Sequence, residues 1–403
     1  MTSKNLHISV DNINLIINLP ASKSISNRAL ILDALSYSSY EIENLAECDD
    51  TRVMVETMDS NETFFDIGAA GTAMRFLTAF LSKTVGEWVI TGSERMKQRP
   101  IKLLVDALIS LGAKIEYIEN EGFPPLRIFG SALTGGHIHL KGNVSSQYIS
   151  ALMMIAPTTL NGIKITLEGE IISRPYINMT LQMMREYGVR VQFIDNEIII
   201  PPQDYMPIPY KVESDWSAAS YWYEILAIAG KGEIYMEGLQ AQSYQGDSRV
   251  ADLFENLGVK TRFMSDGVLI TSGGNCVEEF GYDFVDQPDL AQTFAVTCCI
   301  KNVHFIFSGL ESLKIKETDR IAALINELRK LGFVITEPAE GMLSWRGERC
   351  EPDENISIAT YHDHRMAMAF APVSLTRPIE IENPEVVSKS YPTFWSDFDK
   401  IKA

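Results

Sequence analysis

The sequence predicts an α/β protein of two domains, each built from three copies of one helix-and-strand unit, with small-residue helices inside and sheets outside. Two observations carry this. A helix–glycine–strand segment recurs at a near-constant interval, and a second, more apolar helix recurs with the same period. A third observation is size, since 403 residues with 46% apolar and 22% charged composition exceed what one simple core holds.

The first segment has four clear copies: LLVDALISLGAK from Leu103, LQMMREYGVRV from Leu181, VADLFENLGVK from Val250 and LINELRKLGFV from Leu324. Apolar residues follow helical spacing in each, and Gly112, Gly188, Gly258 and Gly332 supply a left-handed end before an extended run. These glycines lie roughly seventy residues apart.

The second helix is rich in Ala, Met and Ser and begins at Ser22, Gly71, Ser145, Asp215, Asp289 and Asp363. Being apolar on most faces, these helices belong inside. Their Ser, Gly and Asp starts are capping residues that leave backbone N–H groups and positive dipole ends available to an anion. The first interval, Ser22 to Gly71, is short by about two dozen residues, which implies a trimmed hairpin in the Asp50–Gly68 stretch. The Pro-dense stretch Pro201 to Trp216 reads as the domain joint.

Charge narrows the function. A net charge of −18 and a pI near 4.8 repel phosphate backbones and anionic membranes, so no nucleic acid or membrane partner is expected. An anionic ligand then requires a local basic cluster. The cysteines Cys48, Cys276, Cys298, Cys299 and Cys350 are odd in number and lack C-x-x-C spacing, which fits a reducing, cytoplasmic location and no zinc site. The opening segment, broken by Asp11, does not read as a signal peptide, and no apolar run reaches spanning length.

Five polar segments could carry chemistry. Lys23 and Arg28 stand beside hydroxyls at a helix start in ASKSISNR, chemistry suited to phosphate and carboxylate, with a solvated cap as the plain alternative. The glycines of GAAGTAMR, Gly68 to Arg75, permit close backbone approach to an anion, although a packing turn would look the same and no P-loop spacing follows. The cations of RMKQRP, Arg95 to Pro100, read as an exposed turn. Ser145-Ser146-Gln147 and Ser173-Arg174-Pro175-Tyr176 offer hydroxyls and an amide to a phosphomonoester. In KETDR, Glu317 and Arg320 share a helix face, by default as an exposed ion pair. In YHDHRMAM, His362 and His364 lack a third ligand at metal spacing, so no metal is expected.

In this order the segments ASKSISNRA, GTAMR, ERMKQRP, SSQ, SRPY, QPD, KETDR, YHDHRMAM and SKSYP resemble the 5-enolpyruvylshikimate-3-phosphate synthase family along nearly the whole chain. The resemblance implies a paired inside-out α/β barrel with three βαβαββ-type repeats per domain. The domains are joined twice, so residues 1–19 would belong with 214–403 and residues 20–213 would form an inserted domain. It implies an enzyme of the shikimate pathway, leading to chorismate and the aromatic amino acids, that transfers the enolpyruvyl group of phosphoenolpyruvate to the 5-hydroxyl of shikimate 3-phosphate. A cytoplasmic monomer without cofactor is expected, with the two small molecules as its partners and glyphosate as an inhibitor at the phosphoenolpyruvate site.

Carried over by motif, Lys23, Ser24, Arg28, Ser145, Ser146, Gln147, Ser173, Tyr176, Asp289 and Lys316 would bind shikimate 3-phosphate. Lys23, Gly71, Arg95, Gln147, Arg320, Arg365 and Lys389 would bind phosphoenolpyruvate. Asp289, Glu317 and Lys23 would be catalytic, with His364 orienting Glu317. The chain departs from the family pattern at Ala69 and Ser312, where the family usually has Asn, and at Phe76, where it has Pro. Competing readings are the UDP-N-acetylglucosamine enolpyruvyl transferase and a catalytically silent binding protein on the same scaffold. The first typically carries a reactive loop cysteine and other substrate motifs, and the second would not need Lys23, Asp289, Glu317 and Lys389 together.

Overall fold

A computed structural model describes residues 2–402; Met1 and Ala403 lie outside them. The chain forms two compact units, one comprising the residues up to Pro20 together with those from Glu213 onward, the other Ala21–Val212. Each is a mixed α/β structure with its own apolar core.

Two strands open the chain, β1 (Ser3–Leu6) and β2 (Ile13–Asn18). The Ala21–Val212 unit follows with α1 (Lys23–Leu35), β3 (Ile42–Glu43), α2 (Asp49–Asp59), β4 (Phe64–Asp66), α3 (Gly71–Lys83), β5 (Gly86–Thr91) and α4 (Lys102–Ser110). It continues with β6 (Lys114–Tyr117), β7 (Leu126–Gly130), β8 (Gly136–Lys141), α5 (Ser146–Ile155), β9 (Ile163–Glu168), α6 (Arg174–Glu186), β10 (Gln192–Ile194), β11 (Glu197–Ile200) and β12 (Tyr210–Lys211). The second unit holds α7 (Trp216–Ala229), β13 (Gly232–Glu237), α8 (Val250–Leu253), β14 (Leu257–Phe263), β15 (Gly267–Cys276), β16 (Glu279–Asp283) and α9 (Ala291–Lys301). It ends with β17 (His304–Ser308), α10 (Arg320–Lys330), β18 (Leu343–Trp345), β19 (Ser357–Ile358), α11 (His364–Phe370), β20 (Ile379–Glu382) and α12 (Phe394–Phe398).

The odd-numbered helices are the small-residue ones. In α3 buried positions run through Ala73, Met74, Arg75, Phe76, Leu77, Thr78 and Ala79, a continuous stretch that no one-sided helix would show. All seven residues of α11 are buried. Within each unit these helices touch one another, α1 with α3 and α5 in the first, α7 with α9 and α11 in the second. Small side chains let the axes approach, and the excluded water supplies the stabilisation. Helix α10, by contrast, buries one stripe: Arg320, Ile321, Ala323, Leu324, Glu327 and Leu328.

Each unit has three sheets, and every sheet contains one parallel pair: β3 with β12, β4 with β5 and β8 with β9 in one unit, β2 with β13, β16 with β17 and β19 with β20 in the other. Antiparallel strands extend them, among them β1 on β20 and the hairpins β6–β7 and β10–β11. Strand β8 shows why one face is inward, since Ile138 and Leu140 are buried while their neighbours His137, His139 and Lys141 are exposed. The short first interval lies in the sheet of β3 and β12, which has only these two strands. Between α2, ending at Asp59, and β4, beginning at Phe64, no strand occurs among the described residues.

Two expectations need correction. The third helix–glycine–strand copy is broken: α8 has four residues, a 3-10 turn spans Phe254–Asn256, and Gly258 lies inside β14 where its pairing with β15 shifts register. There the Asn256 side chain donates to the Leu253 carbonyl at 3.1 Å and closes the turn that further helix would have satisfied. In the other copies the glycine follows a helix with left-handed backbone, as at Gly188 (φ 80°) and Gly332 (φ 93°).

The second correction concerns caps. Ser22, Ser145, Asp215 and Asp363 accept backbone N–H groups of their helices. The cap position of α3 is Ala70, which has no side-chain bond to give, and α9 begins at Ala291, after a 3-10 turn that contains Asp289. Asp289 is not a cap because its carboxylate is engaged by cations. Among the described residues no helix is long and apolar enough to cross a membrane, and all five thiols are free.

Candidate active site

In the Ala21–Val212 unit the candidate residues gather at the starts of α1, α3, α5 and α6. Arg28, one turn into α1, is 2% exposed. Its Nε donates to Thr180 Oγ1 of α6 at 2.7 Å, one terminal nitrogen to the Ser24 carbonyl at 2.8 Å, and the other to Ser150 Oγ of α5 at 3.2 Å and the Tyr176 carbonyl at 3.4 Å. Every one of these acceptors is neutral. Burial lowers the Arg28 pKa to about 10, so it remains charged at neutral pH without a carboxylate opposite. A buried cation with neutral partners only is an arrangement that gains from an anion. The Phe76 ring packs 5.3 Å from its guanidinium, which gives the unusual Phe76 a role.

Around Arg28 stand the other expected groups. Lys23 Nζ lies 3.1 Å from Asp50, a pair that sequence reading did not identify. The Ser145 hydroxyl caps α5, Ser146 is buried, and Gln147 donates to Thr72 Oγ1 at 3.0 Å, joining α5 to α3. Ser173, at the start of α6, holds a left-handed backbone with φ 54°, caps nothing with its side chain and is buried. Such a conformation costs a non-glycine residue on the order of 1 kcal/mol and is typical of positions held for function. Arg95 is exposed, whereas Gly71 faces two other arginines, Arg75 and Arg99.

In the second unit Asp289, Lys316, Glu317, Arg320, Arg365 and Lys389 form one ion-pair network. Arg320 reaches Asp289 at 2.8 Å, Glu317 at 3.0 Å and Asp363 at 2.6 Å. Arg365 lies 2.9 Å and Lys316 3.6 Å from Asp289, and Lys389 lies 3.4 Å from Glu317. The Glu317–Arg320 pair was expected to be exposed; instead Arg320 is 2% exposed, because α10 turns this stripe inward. Local starts fix the geometry: Asp319 caps α10 by accepting from Ala322 N, and Asp363 caps α11 by accepting from Arg365 N. The left-handed backbone at Tyr361 and His362 turns the chain into that cap.

The charges are unevenly placed. Burial raises the Asp289 pKa, but Arg365, Lys316 and Arg320 outweigh it and hold this carboxyl well below the usual range. Burial in turn lowers the Lys316 ammonium, with Asp289 opposing. Arg365 also donates to Tyr221 Oη at 3.4 Å, and burial pushes that phenol up to about 12. Asp247, buried and accepting from Ser217, is pushed up to about 6 by burial and then by Asp289. Asp247, Asp363 and Tyr221 escaped the sequence reading as site residues. Only Asp363 left a signal, its place before an apolar helix. His364 Nδ1 lies 3.5 Å from Asp363 Oδ1, and no group of three His, Cys, Asp or Glu suited to a metal occurs among the described residues.

The profile of the EPSP synthase family (3-phosphoshikimate 1-carboxyvinyltransferase) matches residues 9–60 and 56–398. The chain belongs to the EPSP synthase family. A 3-phosphoshikimate 1-carboxyvinyltransferase of Bacteroides fragilis (strain YCH46) is 57% identical to this EPSP synthase family member, across 95% of the chain and 94% of the relative. One of Haemophilus influenzae (strain PittEE) is 37% identical, across 96% of both. The fold is shared with a solved EPSP synthase from Acinetobacter baumannii at TM-score 0.80 and 20% identity, covering 99% of this chain and 98% of that one.

Proposed function

We propose that this chain transfers the enolpyruvyl group of phosphoenolpyruvate to the 5-hydroxyl of shikimate 3-phosphate and releases phosphate, the reaction for which its relatives are named. The observation that carries this reading is the placement of cation in an acidic chain. With a net charge of −18, it nonetheless keeps the buried Arg28 beside neutral acceptors only. It also gathers Lys316, Arg320, Arg365 and Lys389 around Asp289, Glu317 and Asp363. Two highly charged substrates are what such clusters suit.

In this reading Arg28, Ser24, Ser145, Ser146, Gln147, Ser173 and Tyr176 bind shikimate 3-phosphate, with Lys23, Asp289 and Lys316. Phosphoenolpyruvate takes Gly71, Arg95, Gln147, Arg320, Arg365 and Lys389, with Lys23. As Asp289 accepts the 5-hydroxyl proton, the oxygen bonds to C2 of phosphoenolpyruvate, and C3 receives a proton from the Lys23 and Glu317 pair. The tetrahedral adduct then collapses. The C2–O bond to phosphate breaks with its electron pair leaving on phosphate, which takes the proton held by Asp289, while the methyl group returns a proton to Glu317 and Lys23 and the double bond re-forms.

Carboxylates that hold the cations give way to substrate anions competing for the same partners. Freed from part of its cationic surroundings, Asp289 regains basicity when substrate is bound. Positioned acid–base groups of this kind contribute about 10²- to 10⁴-fold each, and the arginines offset charge on the adduct.

The contact of the inner helices with one another, with sheets on their other side, supports the inside-out barrel for each unit. A cytoplasmic monomer working without cofactor and inhibited by glyphosate in competition with phosphoenolpyruvate completes the proposal. Phosphate release dependent on both substrates tests it. Release with UDP-N-acetylglucosamine in place of shikimate 3-phosphate would assign the other enolpyruvyl transferase activity, and binding without turnover would leave a silent scaffold.

A further inference from the structure

Gly71 opens α3, and the space where its side chain would stand is filled by two guanidinium groups. A Cβ built there would lie 2.7 Å from a terminal nitrogen of Arg75 and 2.8 and 3.1 Å from both terminal nitrogens of Arg99. Arg75 is buried and donates to the Gly71 carbonyl at 2.8 Å. Arg99 differs. Its Nε is buried without a hydrogen-bond partner, and no ion pair to it occurs among the described residues. The acidic residues of the neighbourhood are engaged elsewhere: Glu94 and Glu119 with Lys97, at 3.6 and 3.0 Å, and Glu121 with Lys102 at 2.7 Å. Two guanidinium groups therefore meet at one point with no carboxylate between them, although the chain is strongly acidic. Like charges so close repel in a medium of low polarity, and an anion between them reverses the sign of the interaction.

We propose that Arg99 is a binding residue for the anionic group of phosphoenolpyruvate, and that position 71 is glycine so that the Arg99 guanidinium can lie against the backbone there. This rests on the function proposed above and adds to it a residue whose motif reads as an exposed turn. The planar fork of arginine, rather than charge alone, suits a phosphate or carboxylate oxygen pair. The consequence is a specific coupling: Gly71→Ala acts on phosphoenolpyruvate by displacing Arg99.

The test is a double-mutant cycle on the full chain. KM for each substrate is measured for wild type, Gly71→Ala, Arg99→Ala and the double variant, with Arg99→Lys alongside. Arg99→Ala is expected to raise KM for phosphoenolpyruvate roughly 10- to 100-fold, the range of a lost charge-assisted hydrogen bond, and KM for shikimate 3-phosphate far less. Arg99→Lys should fall between. Gly71→Ala should weaken phosphoenolpyruvate in the wild-type background and add little once Arg99 is gone. Independent, multiplicative effects, or an Arg99→Ala enzyme with unchanged KM for phosphoenolpyruvate, would overturn the proposal. If Arg99→Ala does not fold, Arg99→Lys decides, since a lysine enzyme with unaltered KM refutes a role for the fork. Direct titration of wild type and Arg99→Lys with phosphoenolpyruvate reads the site without turnover. A wild type that binds it through Arg99 yet releases no phosphate would sink the proposed function and leave this assignment standing.

Discussion

Arg320 donates from Nε to Asp363 Oδ2 at 2.6 Å, and both side chains are almost fully enclosed, at 2% and 0% exposure. The same Asp363 carboxylate accepts the Arg365 N–H at 2.9 Å and so starts α11. One side chain thus orients two arginines of the candidate site, one by ion pairing and one by setting the helix that carries it.

Asp363→Ala should be the most destabilising single change near the site. It leaves the buried Arg320 with one carboxylate fewer and removes a cap, with losses of about 3–5 kcal/mol and about 1 kcal/mol in comparable cases. Asp363→Asn keeps the cap and should lose less. Chemical denaturation of both variants checks the order.

Asp289→Asn and Glu317→Gln keep shape and remove proton transfer. Each is expected to fold as wild type does and to lose about 10²- to 10⁴-fold in kcat. Near wild-type turnover in either would show the wrong carboxylate had been chosen. Circular dichroism with steady-state rates separates the two effects.

Arg28→Met removes a buried cation whose partners are all neutral oxygens. Stability should change little, because the lost hydrogen bonds are offset by relief of desolvation. KM for shikimate 3-phosphate should rise by about 10-fold or more. A large drop in melting temperature with unchanged KM would make Arg28 purely structural.

Ser173→Gly relieves the left-handed strain at φ 54° and should stabilise the fold by up to about 1 kcal/mol while weakening shikimate 3-phosphate binding. Ser173→Ala keeps the strain and loses the same hydroxyl, so the pair divides backbone from side-chain effects. Equal binding by all three proteins would remove Ser173 from the site.

Asp247 gives the pH prediction. Its pKa is raised to about 6 by burial and by Asp289, so the folded state holds this proton more tightly than the unfolded chain does. Its contribution to stability is therefore complete below the unfolded value of about 4, declines as pH rises to about 6, and is absent above, a swing on the order of 2 kcal/mol. Asp247→Asn should lack that decline. Denaturation midpoints at several pH values between 4 and 8 would contradict this if the two proteins run parallel.

Local chemistry made the repeats legible. A helix apolar on every side, such as DHRMAMAF or GTAMRFLTAFL, has nowhere to go but the interior, and the serines and aspartates before such helices announce their starts, as Ser22, Ser145, Asp215 and Asp363 do. The site motifs were recognised as a series by resemblance; their residues taken singly looked like caps and exposed pairs. Asp289 misled because an aspartate before an apolar helix has the same local pattern whether it caps or pairs. Tertiary structure decided what each charge meets. Arg28 finds Thr180 across 152 residues, Arg320 finds Asp363 across 43, and β1 pairs with β20 from the opposite end of the chain. Periodicity records which side of a helix is buried, since that is a property of neighbours three and four apart. Which buried charge lies opposite which depends on how separate helix starts converge, and no local interval in the sequence carries that information.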